Sequence, residues 1–292
     1  MTSPTRTTAR PVVQRKATGW KRARRIVLPL GGLLILIFFL SPYVVMLLDS
    51  LRPSADVLAI PPTFFPTTWT GEAYIQVLTD PRFQNWLKTS VIVATSASVI
   101  VMIVAIPAAY FTARFRFRGR MLFLGLVVAT QMFAPTSLVV GIYRQFYDLS
   151  LINTYTSLIL TDAAFNIAFA LWILHGFFAA IPKDLEEAAA LDGSSRFGTL
   201  FRVMLPLTLP GIVTAVIFTF IAAWNEYVVA LTLIQDDSMK PLTVGFSSYV
   251  TGFEQNWSQL FAASVIAIVP VVILFALIEK HLVGGMTSGS IK

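Results

Sequence analysis

Pro182-Lys-Asp-Leu-Glu-Glu-Ala-Ala-Ala-Leu-Asp-Gly-Ser-Ser-Arg-Phe-Gly-Thr-Leu-Phe-Arg-Val-Met-Leu-Pro206 is a charged interlude between two long apolar runs. Pro182 suits the first turn of a helix, where its missing N–H is not needed. Asp184, Glu186 and Glu187 follow in that turn, where the helix dipole favours acids. Ala188, Ala189 and Ala190 are strong helix formers, with so little side chain that another surface can press close. After Asp192, Gly193 allows a sharp change of direction. A second stretch, 195–203, carries Phe197, Leu200 and Phe201 at apolar spacings, followed by Met204, and Leu205-Pro206 leads into the next run. The stretch reads as a short, two-part amphipathic helix. Helices that rest on lipid headgroups usually carry Lys and Arg on their polar face. Three acids open this one, which favours a protein partner with a basic cleft.

The flanking runs set the class. The chain has 292 residues, of which 56% are hydrophobic and 13% charged, with a mean hydropathy of +0.73. A soluble domain carries about 25% charged residues, so the expected solvent is lipid. A span needs about 20 apolar residues. Six windows qualify, at 26–48, 88–111, 121–143, 157–181, 205–234 and 260–283. The expected fold is therefore all-α, a polytopic membrane protein with six transmembrane helices. The first window is too long for a signal-peptide core and no small-residue cleavage site follows it, so it is read as an uncleaved span. Residues 1–25 read as a disordered basic tail.

Lys and Arg mark the cytoplasmic side. With the N-terminus inside, 17 basic residues fall in cytoplasmic segments and 5 outside. The excess is a topology signal, and a nucleic-acid role is not expected, because the basic run 114–120 is a short loop between spans. The docking stretch 182–206 then lies in the cytoplasm. Residues 49–87 form a long outer loop, expected to be extended because of Pro53, Pro61, Pro62 and Pro66. A second outer loop, 235–259, carries Phe246, Tyr249, Phe253 and Trp257. These aromatics read either as contacts for an extracytoplasmic partner or as an interfacial belt. The chain has no cysteine, which excludes disulfides and thiolate metal sites. His175 and His281 have no third ligand nearby, so no metal is expected.

Glu187-Ala188-Ala189, Gly193 and Val203-x-Leu205-Pro206 resemble the EAA loop of ABC-importer permeases, E-A-A-x3-G-x9-I-x-L-P, with Val for Ile the one departure. The fixed letters would recur by chance on the order of once in 10^7 starting positions. Looser similarities to the carbohydrate-type, maltose-type second permease run along the chain. They are Leu51-Arg-Pro-Ser-Ala-Asp56 with Pro61-Pro62, Ala108 to Arg120, Trp224-Asn-Glu-Tyr227, and Gly284 to Lys292. The resemblance implies a type I importer permease fold, with a first helix at 26–48, a core at 86–280, a coupling loop at 182–206 and a cytoplasmic tail at 284–292. It also implies a coupling contact to an ATPase through Glu186, Glu187, Ala188, Ala189, Asp192, Gly193, Leu205 and Pro206. The implied partners are a second homologous permease subunit in a pseudo-dimer, two ATPase subunits that bind ATP and Mg, an extracytoplasmic solute-binding protein and a sugar, with glycerol phosphate or another small solute as the alternative cargo. The implied location is the inner membrane of a prokaryote, with both termini cytoplasmic.

Polar groups inside spans are expensive and usually face the protein interior. Gln131 lies near the middle of the third window, beside Thr130. Asp162 and Asn166 are one turn apart in the fourth. Asn225 and Glu226 sit between Trp224 and Tyr227 in the fifth. Hydrogen-bonding side chains beside aromatic faces suit a sugar, so these seven (Gln131, Asp162, Asn166 and residues 224–227) are candidate pathway residues. The competing reading is interhelical glue.

Three function classes compete. A permease driven by ATP must borrow its ATPase, because no G-x-x-x-x-G-K-[ST] phosphate loop is present; no enzyme activity of its own is expected. An intramembrane protease needs a Ser nucleophile with a His base in reach, and no G-x-S-G motif occurs. A secondary transporter or channel has no use for an acidic docking loop. The first class accounts for the docking stretch.

Overall fold

The computed structural model describes residues 18–57, 59–60, 64–249 and 256–287, and within these the side chains from 27 to 276. All regular structure among them is helical. The chain divides into two units, 1–46 and 47–292.

In the first unit, α1 (Thr18–Ser50) starts at Thr18, eight residues before the apolar window, so the end of the expected disordered tail is helical. Residues 1–17 lie outside the described part. From Val27 to Val45 the side chains of α1 are exposed apart from the half-buried Gly31. A helix apolar on all sides is stable only against lipid or other helices.

The second unit holds α2 (Ser54–Val57), α3 (Glu72–Thr79), α4 (Pro81–Arg114), α5 (Arg120–Thr130), α6 (Pro135–Asp148), α7 (Tyr155–Ala180), α8 (Asp184–Leu191), α9 (Arg196–Thr199), α10 (Leu205–Leu207), α11 (Leu209–Trp224), α12 (Val228–Leu233), α13 (Leu242–Gly245) and α14 (Trp257–Thr287). A π-helical segment, Leu200–Met204, joins α9 to α10. Among the described residues four helices are long and apolar enough to cross a membrane alone, and the count rises to six where each of two bent pairs is taken as one span.

The spine is α4 against α7. Ala94, Ala97, Val101, Ala105 and Ala109 recur at three- and four-residue steps on one buried face of α4. Such small side chains let backbones approach closely in lipid, where burial itself gives no drive between helices. Three apolar clusters build on this spine. At the end that carries residues 182–206 (the loop end), Tyr110 of α4, Leu171, Leu174 and Phe178 of α7, and Leu200 and Met204 pack together. At the opposite, far end, Phe83 and Trp86 of α4 meet Trp224, Leu242 and Tyr249, with Ala73 and Val77 of α3 and Ala262 and Ala263 of α14. The third cluster joins Val93 and Leu158 to Val229, Leu233 and Val244.

Several expectations need correction. The third window is two helices, α5 and α6, meeting at 93°. Ala134 before Pro135 is extended (φ −66°, ψ 135°), as the residue preceding proline prefers. The fifth window is also divided. α10 belongs to the loop, α11 leaves it at 78°, and the helix breaks again between Trp224 and Val228. Residues 49–87 are not simply extended, since α2, α3 and the first turns of α4 occupy much of them, while 58 and 61–63 lie outside the described residues. α4 begins at Pro81 because the Asp80 side chain accepts from the Arg82 N–H at 2.8 Å and proline is at home at N1. Pro107 and Pro270 sit inside continuous helices.

Candidate functional site

α8 opens after Pro182, which stands just outside the helix rather than in its first turn; Lys183 is the N-cap. Asp184, Glu186 and Glu187 occupy the first turn. The helix ends in a Schellman motif. Gly193 takes φ +77°, its N–H donates to the Ala190 carbonyl at 3.1 Å, and the Ser194 N–H donates to the Ala189 carbonyl at 2.9 Å. Ser195 then caps α9, its Oγ accepting from the Gly198 N–H at 3.2 Å. The π segment ends at Met204, where the Leu205 N–H reaches back to the Leu200 carbonyl, and Pro206, which has no N–H to give the ladder, follows in the first turn of α10.

This geometry sorts the loop residues by face. Asp184, Glu187, Ala188 and Leu191 fall three or four apart and form one exposed stripe of α8, with Leu191 90% exposed. Asp192, Gly193, Phe197, Phe201 and Pro206 are also exposed. Glu186 and Ala189 are not part of that surface. Ala189 is buried. Glu186 turns inward, its Oε1 lying 2.8 Å from Nε of Arg114. Leu205 is half-buried. The expected contact surface therefore loses these members to the chain's own packing. Arg114, which the sequence marks only as one more basic residue at a span end, is the loop's buried partner that sequence reading missed.

The polar residues of the spans separate in the same way. Asp162 is buried in α7, and the Asn166 Nδ2 donates to its backbone carbonyl at 2.8 Å. Gln131 caps the end of α5 at the 93° break. With its Nε2 toward α7, its amide donates to the Phe165 carbonyl (3.3 Å) and its Oε1 accepts from the Phe169 N–H (3.2 Å). Gln131 and Asn166 are thus brought to one stretch of α7. Trp224 does not line an opening. It is 5% exposed and stacks on Phe220 with ring centroids 5.5 Å apart. Asn225 and Tyr227 are exposed. Glu226 caps a helix: its two carboxylate oxygens accept from the Val229 N–H (2.8 Å) and the Ala230 N–H (2.9 Å). The Thr243 hydroxyl donates to its main-chain carbonyl at 2.6 Å. A carboxylate accepting main-chain N–H groups at a helix start is a strong, charge-assisted arrangement.

At the far end, Tyr249 is buried edge-on against Trp86, with centroids 5.8 Å apart. It is part of the core and not an outward contact. Burial, reinforced by the charge of Asp80, pushes its phenol up to about 12. Phe246 and Trp257 are half-buried, and Trp257 lies against Phe261. Phe253 lies outside the described residues. His175 is held by Thr112, whose Oγ1 is 3.1 Å from Nδ1.

Residues 32–288 match the family described as binding-protein-dependent transport system inner membrane component. The chain is 36% identical over 273 residues to the trehalose/maltose transport system permease protein MalG of Thermococcus litoralis, covering 92% of this chain and 97% of that one. It is 34% identical to the sulfoquinovosyl glycerol transport system permease protein SmoH of Agrobacterium fabrum, covering 89% and 91%. It is 32% identical to the diacetylchitobiose uptake system permease protein NgcG of Streptomyces coelicolor, covering 92% and 90%. Its fold is similar to that of a chain in the crystal structure of a bacterial ABC transporter that imports alginate, with a TM-score of 0.76 at 24% identity over 89% of this chain and 97% of that one. A multi-pass helical chain with a capped, outward-facing loop helix, matched over nearly its whole length, belongs to the family of binding-protein-dependent transport system inner membrane components.

Proposed function

We propose that this permease imports a disaccharide or short oligosaccharide, and that an ATPase drives it through the exposed stripe of α8. The carrying observation is that stripe, Asp184, Glu187, Ala188 and Leu191, followed at once by the left-handed turn at Gly193. Acids at a helix start match a basic cleft, Ala188 allows close approach, and Leu191 is an apolar side chain left open by the described residues. ATP and Mg belong to the ATPase, and this chain carries out no chemistry. A second homologous permease completes the pathway. Relatives named for trehalose/maltose and diacetylchitobiose favour a sugar as cargo.

The excess of basic residues at the loop end supports a cytoplasmic side for it, for the N-terminal tail 1–25 and for the C-terminal tail 284–292, in the inner membrane of a prokaryote. Residues 49–87 and the far end then meet the binding protein, with Phe246, Phe253 and Trp257 as the remaining aromatic candidates. Residues 86–280 act as the five-helix core. Within it, Gln131, Asp162, Asn166, Asn225 and Tyr227 remain the pathway candidates, with Glu226 holding the break on which Asn225 and Tyr227 sit. Closing of the ATPase dimer biases the core between inward- and outward-facing arrangements.

The test is uptake of labelled maltose and diacetylchitobiose by cells with and without the ATPase gene. Uptake should vanish with the ATPase, and Glu187→Lys should abolish it while the complex still inserts. Wild-type uptake without the ATPase refutes the reading.

A further inference from the structure

The last turn of α4 holds the loop at several points. Arg114 ends α4, and its side chain is 4% exposed. Its Nη2 donates to the Ile181 carbonyl at 2.9 Å and reaches the Met204 sulfur at 4.0 Å. Its Nε lies 2.8 Å from Glu186 Oε1. These partners stand before α8, within α8 and in the π segment beyond the Gly193 turn. The next residue, Phe115, lies under the Arg196 guanidinium at 5.1 Å, which ties in α9. One turn earlier, Tyr110 packs edge-on against both Phe115 and Phe178. Ile181 ahead of α8, α8 itself, α9 and the π segment thus each meet Arg114 or Phe115 at the end of a single span.

The Arg114–Glu186 contact is close but not aligned as a hydrogen bond, since Nε and Oε1 each lack a hydrogen-bond partner. Charge holds the pair. A buried guanidinium is tolerable when an opposite charge accompanies it, and removing one partner leaves the other uncompensated. If α8 shifts, Arg114 must follow Glu186 or be left with a carbonyl and a thioether. Because Arg114 is the last residue of α4 and its side chain is buried, following pulls on the end of the span.

We propose that Arg114 is the positioning residue that converts displacement of α8 into movement of α4. This rests on the reading of α8 as the ATPase-docking element. Coupling claims need a two-state element that both sites bias, and here that element is the α8–α4 joint.

The chain has no cysteine, so single cysteines introduced into it can carry a spin label in the complete importer, assembled with a second permease, ATPases and binding protein whose own cysteines have been replaced. One label goes on the loop through Ala190→Cys and one on α4 through Ile103→Cys, both at exposed positions. Adding ATP and Mg should shift both spectra. With Arg114→Ala, the loop label should still respond, while the shifted fraction of the α4 label falls on the order of tenfold, within the roughly 5- to 150-fold range of typical couplings. Glu186→Gln, which keeps the shape and removes the charge, should act in the same direction. The double variant should be no worse than the worse single one, because a pair that acts as a unit is not additive. If Arg114→Ala does not assemble, Glu186→Gln decides alone, since Glu186 lies near the surface. A full α4 response in either variant, losses that multiply in the double variant, or an α4 label that is silent in the otherwise unaltered importer overturns the proposal. A loop label that ignores ATP would instead refute the docking reading.

Discussion

Substituting Gly193 tests the loop geometry with few confounding terms. Its backbone is at φ +77°, where an L side chain costs about 1–2 kcal/mol. A Cβ built there meets nothing within 4 Å, so packing adds nothing to that figure. The strain has one escape, which is to abandon the left-handed turn. That would forfeit the two main-chain bonds from Gly193 to Ala190 and from Ser194 to Ala189, each worth about 0.5–1.5 kcal/mol net. Escape and strain are comparable, so Gly193→Ala should lose about 1–2 kcal/mol of local stability by either route. Asn tolerates this backbone region better and should lose less, and β-branched Val should lose more.

Hydrogen exchange at the amides of residues 193 and 194 reads this directly. Protection should fall about 5- to 30-fold in Gly193→Ala for a loss of that size, in the order Gly, Asn, Ala, Val. Binding-protein-dependent uptake should follow the same order, with insertion of the complex unchanged. Equal protection in glycine and valine forms would show that the turn is not left-handed, and the account of how α8 is aimed would fail with it.

Glu226→Ala removes the acceptors for the Val229 and Ala230 N–H groups; a lost cap of this kind costs about 0.5–2 kcal/mol, and exchange of those two amides should quicken. Unchanged exchange would return Glu226 to a role in the pathway alone. Gly245→Ala drives a methyl group into the Trp86 indole; overpacking of this sort costs about 1–3 kcal/mol, so the complex should melt earlier, and an unchanged melting temperature would refute the close approach. The Tyr249 phenol should titrate near 12, against about 10 when unfolded. Its contribution to stability is present below pH 10 and is lost as the pH rises from there to 12; the ionisation itself is followed by the difference in ultraviolet absorbance between the unsubstituted chain and Tyr249→Phe. Titration at the ordinary value would contradict the burial.

What the sequence reveals and what it hides divide along one physical line. Span number and loop position follow from composition over 20-residue windows, and lipid enforces that rule on every chain. The acids of α8 and the glycine of its turn are local signals, and the structure places them locally. The breaks are different. Pro107, Pro135 and Pro270 look alike in the chain, yet only Pro135 starts a new helix, at the 93° bend. In a membrane a freed carbonyl can be satisfied by a neighbouring helix, so a proline's effect is decided by elements far away in sequence. Glu226 shows the same dependence. Between Trp224 and Tyr227 it reads as a sugar ligand for as long as the helix is assumed continuous. Once the helix breaks there, its carboxylate has two main-chain donors within 3 Å, and capping becomes the first demand on it. Glu186 and Arg114 carry this furthest. Neighbouring positions 186 and 187 are both Glu, and no local rule ranks them. The backbone of α8 ranks them by aiming one at Arg114 and the other outward. On the proposed reading of α8 as the docking element, both directions are needed at once, one face to receive the force and one to pass it on. Two adjacent acids on a single helical turn are a compact way to supply them.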